Sequence, residues 1–174
     1  MLFCHVYESD CQSLPKLFMI EKYIIKVSLM TQQPTTHHEL NAVLSELVTS
    51  QRAILNENLL AVYLQGSFGV GDWDEHSDVD FMAVIDRDLT DDEVKQLNTM
   101  HNRIFDLDPK WSNHLEGSYF PKALLKKVDP QHTPLWYIDN TSRELERSTH
   151  DNELVVRWVT REHGIPLYGA DPET

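Results

Sequence analysis

Gly66-Ser67-Phe68-Gly69-Val70-Gly71-Asp72-Trp73-Asp74-Glu75-His76-Ser77-Asp78-Val79-Asp80-Phe81 is the stretch on which the reading of this chain turns. An apolar run, Leu59-Leu60-Ala61-Val62-Tyr63-Leu64, precedes it, and a second, Phe81-Met82-Ala83-Val84-Ile85, follows. The pattern predicts strand, glycine-bearing loop, strand, with a hydroxyl at the first turn and two carboxylates opening the second strand. Residues i and i+2 of a strand project from one face, so Asp78 and Asp80 would point the same way, about 7 Å apart along the chain. Oxygen ligands so spaced suit a hard cation such as magnesium, which takes one or two carboxylates together with substrate phosphates. Glycine lets backbone N–H groups approach a phosphate closely. The economical expectation is one site for a metal and a nucleotide.

The chain has 174 residues, enough for one domain with a real core. Lys and Arg number 15 against 28 Asp and Glu, for a formal net charge of −13. Residues 1–36 hold three acids (Glu8, Asp10, Glu21) and three bases (Lys16, Lys22, Lys26), so the whole deficit lies in residues 37–174. Such a body repels nucleic acid and anionic membrane and attracts cations. Both cysteines, Cys4 and Cys11, fall near the start, which excludes a disulfide scaffold and fits a reducing cytoplasm. Charged residues interrupt Leu17–Leu29 before a signal or membrane-spanning segment can form. Residues 1–30 read as an N-terminal extension, either disordered or an amphipathic helix through Leu17, Ile20, Ile24 and Val27. The domain is expected over 31–174.

Beyond the opening motif the periodicity predicts a mixed α/β domain. From Thr36 a helical stripe runs through Leu40, Val43, Leu44, Leu47, Val48, Ile54 and Leu55. Strands are expected at about 59–65 and 79–86. Thr90-Asp91-Asp92-Glu93 is a capping box opening a helix with Val94, Leu97, Ile104 and Phe105 inward. A third strand covers His114 to Phe120, stopped by Pro121, and a fourth covers Pro134 to Ile138. A last helix from Asp151 to His163 would carry Leu154, Val155, Trp158 and Val159 on one side, with Gly164 as its left-handed terminator. Trp111, Trp136 and Trp158 are expected to be core or partly buried, whereas Trp73 could stack on a ligand.

Other motifs fail on specific residues. No Lys-Ser/Thr follows a phosphate-loop spacing, and Asp74 stands where a dinucleotide fingerprint needs its third glycine. Asp72-x-Asp74-x-His76 begins like a calcium loop, but Ser77 replaces the glycine and Ala83 the bidentate acid. His38-Glu39 meets Ala42 where a zinc helix needs a second histidine, and the nine histidines show no ligand spacing.

Gly66-Ser67, Gly71 and Ser77-Asp78-Val79-Asp80 resemble the signature of the nucleotidyltransferase superfamily. Leu115-Glu116-Gly117-Ser118-Tyr119 and Arg161 to Gly169 further resemble segments of the streptomycin/spectinomycin-type aminoglycoside adenylyltransferases. The resemblance implies the α/β nucleotidyltransferase core, a mixed sheet of about four strands flanked by helices. It implies Mg²⁺ held by Asp78 and Asp80, with Gly66, Ser67 and Ser77 on the phosphates of ATP. It also implies Glu116 as general base, in transfer of AMP to a hydroxyl of a small cationic acceptor such as an aminoglycoside. Glu116 interrupts an otherwise uncharged strand, which favours that role over an exposed strand acid. The related enzymes continue into a C-terminal helical domain, which is expected to be absent here. A partner domain or a second copy would then complete the cleft. The alternative is a catalytically incomplete nucleotide-binding or antitoxin-like partner module.

Overall fold

Leu40, Val43, Leu44 and Leu47 are all at most 1% exposed, and the amphipathic stripe they form is why the first helix exists where it does. In the computed structural model, which describes residues 33–107, 110–126 and 129–170, this helix, α1, spans His38–Leu55. The expectations for residues 1–30 lie outside the described residues. Strand β1 (Leu59–Leu64) follows a single 3₁₀ turn, and a five-residue helix, α2 (Gly66–Val70), connects it toward β2 (Val79–Ile85). The expected loop is thus helical in its first part: Gly71, at φ 79°, ends the turn in the left-handed region.

Helix α3 (Asp91–Phe105) carries the chain across to β3 (Leu115–Pro121), which pairs parallel with β2. A parallel pair requires such a crossover. The capping box is present: Thr90 Oγ1 accepts from the Glu93 N–H at 3.3 Å, and Glu93 Oε2 accepts from the Thr90 N–H at 2.8 Å. Arg87 doubly donates to the same Glu93 carboxylate, which holds it down to about 2. The short α4 (Lys122–Leu125), then β4 (Leu135–Ile138), β5 (Glu146–Ser148), α5 (Leu154–His163) and β6 (Ile165–Tyr168) complete the order.

The sheet has six strands in the order β5-β4-β3-β2-β1-β6, antiparallel except for β2 and β3. Two strands were therefore missed, β5 and β6. Each is only three or four residues long and lies at a sheet edge, too short for a period-2 signal. Val79, Phe81, Ala83 and Ile85 are fully buried on the face covered by α1 and α3, in one core with Leu97, Ile104 and Tyr119. At about 1.5–3 kcal/mol for each large apolar side chain, this layer dominates the stability. The opposite face carries Met82, Val84, Phe120 and Leu135, with Val156 of α5 and Leu124 and Leu125 of α4 packed against it.

Three local expectations need correction. Gly164 sits at φ −63°, ψ 130°, an extended conformation, so α5 runs straight into β6 without a left-handed residue. Helix α5 starts at Leu154 with Glu153 as N-cap, three residues after the expected start at Asp151. The helix also turns Val156, Arg157 and Thr160 inward, leaving Leu154, Val155 and Trp158 more than half exposed. Sequence periodicity located the apolar side of this helix, but not which side the sheet would take. Trp111 is buried and Trp136 partly so, as expected, whereas Trp158 is not.

Candidate active site

Strand parity places Asp78 and Asp80 on the same face as Met82 and Val84, the face opposite the main core. On the neighbouring parallel strand the partner of Asp80 is Glu116. The three carboxylates that the sequence singled out are thus gathered at one end of the strands, on one face. Beyond them the same face is closed by the apolar cluster under α5.

Gly66 sits against this group. The Gln65 N–H donates to the Asp80 carbonyl at 2.9 Å, which brings the β1–α2 turn beside the second strand. At φ 58° Gly66 adopts a left-handed conformation, and a Cβ there would run into the Asp80 carboxylate. Ser67 Oγ is covered and finds no hydrogen-bond partner among the described residues. Ser77 turns toward the loop instead: its Oγ accepts from the Asp74 N–H at 2.8 Å and lies 3.3 Å from Asp74 Oδ1. Trp73 lies parallel to the ring of Phe68, with centroids 5.4 Å apart, and edge-on to His37. It therefore packs the glycine-rich segment onto the domain, so one face of the ring is already used.

The electrostatics of the group are those of clustered, partly buried carboxyls. The Asp80 carboxyl is pushed up to about 6, first by burial and then by Glu116, Asp151 and Asp78. Burial also raises Glu116, with Asp78 adding to the rise, while a hydrogen bond from Tyr137 opposes it. Asp151, buried and raised for the same reason, accepts a hydrogen bond from Ser118 Oγ, two residues along β3 from Glu116. His114 Nδ1 stands 3.6 Å from Asp78 Oδ1, and His150 Nε2 stands 3.6 Å from Glu116 Oε1.

Among the described residues no three His, Cys, Asp or Glu side chains form a metal-binding cluster. Asp78 and Asp80 supply two carboxylates, the number magnesium takes when phosphates and water complete its shell. The donor set, two carboxylates with hard oxygens on one sheet face, fits that cation. Among the described residues no helix is long and apolar enough to cross a membrane.

Sequence reasoning missed Tyr137 and His114; His150 and Asp151 it placed at the start of the last helix, where the related enzymes carry acidic residues near the nucleotide and where capping accounts for Asp151 equally well. Their approach to Glu116, Asp78 and Ser118 depends on how β3 pairs with β4 and on where the 149–153 turn folds. Neither leaves a motif in the sequence.

Residues 48–129 match the nucleotidyltransferase domain family, and Gly66, Ser67, Ser77, Asp78, Asp80 and Glu116 all fall within that span. No curated protein sequence matches the chain. Among solved structures, the spectinomycin adenyltransferase AAD(9) from Enterococcus faecialis, determined with ATP and spectinomycin, aligns with a TM-score of 0.57 at 19% identity. The alignment covers 76% of this chain and 57% of that one, so the chain spans little more than half the length of its neighbour. Over residues 48–129 the chain is similar to the nucleotidyltransferase domain family, and its fold resembles that of the spectinomycin adenyltransferase.

Proposed function

We propose that the protein transfers AMP from ATP, with Mg²⁺, to a hydroxyl of a small cationic acceptor, an aminoglycoside. The observation that carries this reading is the convergence of Asp78, Asp80 and Glu116 on one sheet face beside the Gly66–Ser67 turn. Asp78 and Asp80 would hold the cation. When bound, magnesium neutralises charge on the triphosphate and on the departing pyrophosphate.

The backbone at Gly66 lies against Asp80 and, with that of Ser67, would cradle the distal phosphates, since no Cβ at Gly66 intervenes. Ser67 would join them by turning its hydroxyl out of the cover that leaves it without a partner. Ser77, bonded to Asp74, would support the contact by shaping the loop. Glu116 would take the acceptor's hydroxyl proton as that oxygen attacks the α-phosphorus in line and pyrophosphate leaves. Burial favours this role, because a carboxylate raised toward neutrality is a better proton acceptor than a solvated one. A formal net charge of −13 draws a polycationic acceptor toward the domain.

Calorimetry with ATP in the presence and absence of Mg²⁺, followed by pyrophosphate release with spectinomycin and streptomycin, tests the reading. Magnesium-dependent ATP binding with acceptor-dependent release supports it. Binding without release from either acceptor would instead identify a nucleotide-binding module. Failure to bind ATP at all would exclude both.

A further inference from the structure

Tyr137 lies on β4 directly opposite Ser118 of β3, so its side chain projects from the face that carries Glu116. A diagonal neighbour on an adjacent strand is within reach of a long aromatic side chain. Here the Tyr137 hydroxyl donates to Glu116 Oε1 at 2.5 Å. Its other nearby acceptor, Asp139 Oδ1, lies at 3.5 Å, so Glu116 takes the stronger share of the donor. Tyr137 is 5% exposed, and burial together with Glu116 pushes its phenol well above the usual range, which keeps the proton on the tyrosine.

His150 approaches the same oxygen. Its Nε2 is 3.6 Å from Glu116 Oε1, and its ring centroid is 5.4 Å from that of Tyr137. Both neighbours thus address Oε1. Among the described residues nothing hydrogen-bonds to Oε2. Glu116 on β3 is thus held by a side chain on the strand paired with it, and groups on regular elements are placed more precisely than groups on loops.

We infer that Tyr137 is a positioning residue: it ties Oε1 of Glu116 and so leaves Oε2 as the oxygen that takes the acceptor's proton. This rests on the proposed role of Glu116. The arrangement is the familiar logic of a base oriented by a third group. Without the phenol the carboxylate can turn about its terminal torsion, which is broad and soft. A misplacement of about 1 Å at a reacting group can cost about 10²-fold in rate.

The test is Tyr137→Phe in the full chain, which keeps the ring and its packing and removes only the hydroxyl. With ATP, Mg²⁺ and spectinomycin, kcat for pyrophosphate release is expected to fall about 10- to 100-fold while KM for ATP stays unchanged. In the Glu116→Gln background the same substitution is expected to change kcat by less than about twofold, because there is no base left to position. If Glu116→Gln damages turnover and Tyr137→Phe leaves kcat untouched, the inference on Tyr137 falls while the base survives. If Glu116→Gln itself leaves kcat unchanged, the base and its positioning fall together. A readout independent of turnover is the pair of crystal structures, parent and Tyr137→Phe. Loss of a single Glu116 carboxylate orientation in the variant supports the inference, and an unmoved, equally ordered carboxylate overturns it.

Discussion

Gly66 and Asp80 stand so close that a Cβ on Gly66 would fall nearer than 3.0 Å to the Asp80 carboxylate. Gly66 also occupies φ 58°, where a side chain adds strain of its own. Gly66→Ala is therefore expected to destabilise the domain by about 2–4 kcal/mol, from the left-handed strain and the overpacking together. Gly71 is the internal control. At φ 79° it shares the strain, but no atom lies within 4 Å of its Cβ, so Gly71→Ala should lose only about 1 kcal/mol. Urea unfolding of both variants checks this. Equal losses would mean that the turn does not press on Asp80.

Asp80 should make the protein less stable once it ionises. Its folded value of about 6 exceeds the free value of 3.8, so the fold prefers the protonated form. That contribution is complete below the free value and is lost as pH rises through the folded one. Asp80→Asn, permanently neutral, should be more stable than the parent by about 1–3 kcal/mol at pH 7.5, and its advantage should vanish near pH 4. Added Mg²⁺ should stabilise the parent and leave the variant unmoved. Thermal melts across this pH range decide the matter; a variant that melts lower than the parent throughout would make Asp80 a structural residue.

Glu116→Gln keeps the size and hydrogen-bonding reach of the side chain and removes its basicity. Turnover is expected to drop by about 10²–10⁴-fold with ATP affinity retained. Single-turnover kinetics and equilibrium binding together separate the two effects. A rate equal to the parent's would take Glu116 out of the mechanism.

His101 gives the core its own pH dependence. It is 4% exposed, faces the Tyr119 hydroxyl at 2.9 Å, and burial pushes it down from 6.5 to about 3. A histidine kept neutral in the fold contributes stability above its free value, and that stability drains away as pH falls toward the folded one. Below pH 6.5 the slope from this group should be about 1.4 kcal/mol per pH unit. The stability difference between the parent and His101→Gln should therefore shift by about 2 kcal/mol between pH 7 and pH 5, against the parent. Chemical denaturation at both pH values measures it, and the difference cancels the opposing titration of Asp80. A constant difference would show that water reaches the ring.

Much of the site was legible before any folding was considered. Period 2 in Asp78-Val79-Asp80 puts two carboxylates on one face whatever the rest of the chain does, and Thr90 with Glu93 forms a capping box by local geometry alone. The stripe from Leu40 to Leu55 marks α1, because a face that wide must be buried. These features depend on neighbours within about four residues, and local sequence carries that information in full.

What only the tertiary structure decided depends on contacts between residues far apart in the chain. The parallel register that sets Glu116 opposite Asp80 follows from how the crossover through α3 docks, and the register of β4 that brings Tyr137 to Glu116 follows from β3. Asp151 was taken from a helix start to Ser118 because α5 settles on the sheet through Val156 and Thr160. The same docking left Trp158 in solvent, although its spacing had marked it as apolar-side. An amphipathic stripe states that a face wants cover, whereas the cover it receives is settled by the packing of the whole sheet. For that reason the carboxylates could be read from the chain, and their partners could not.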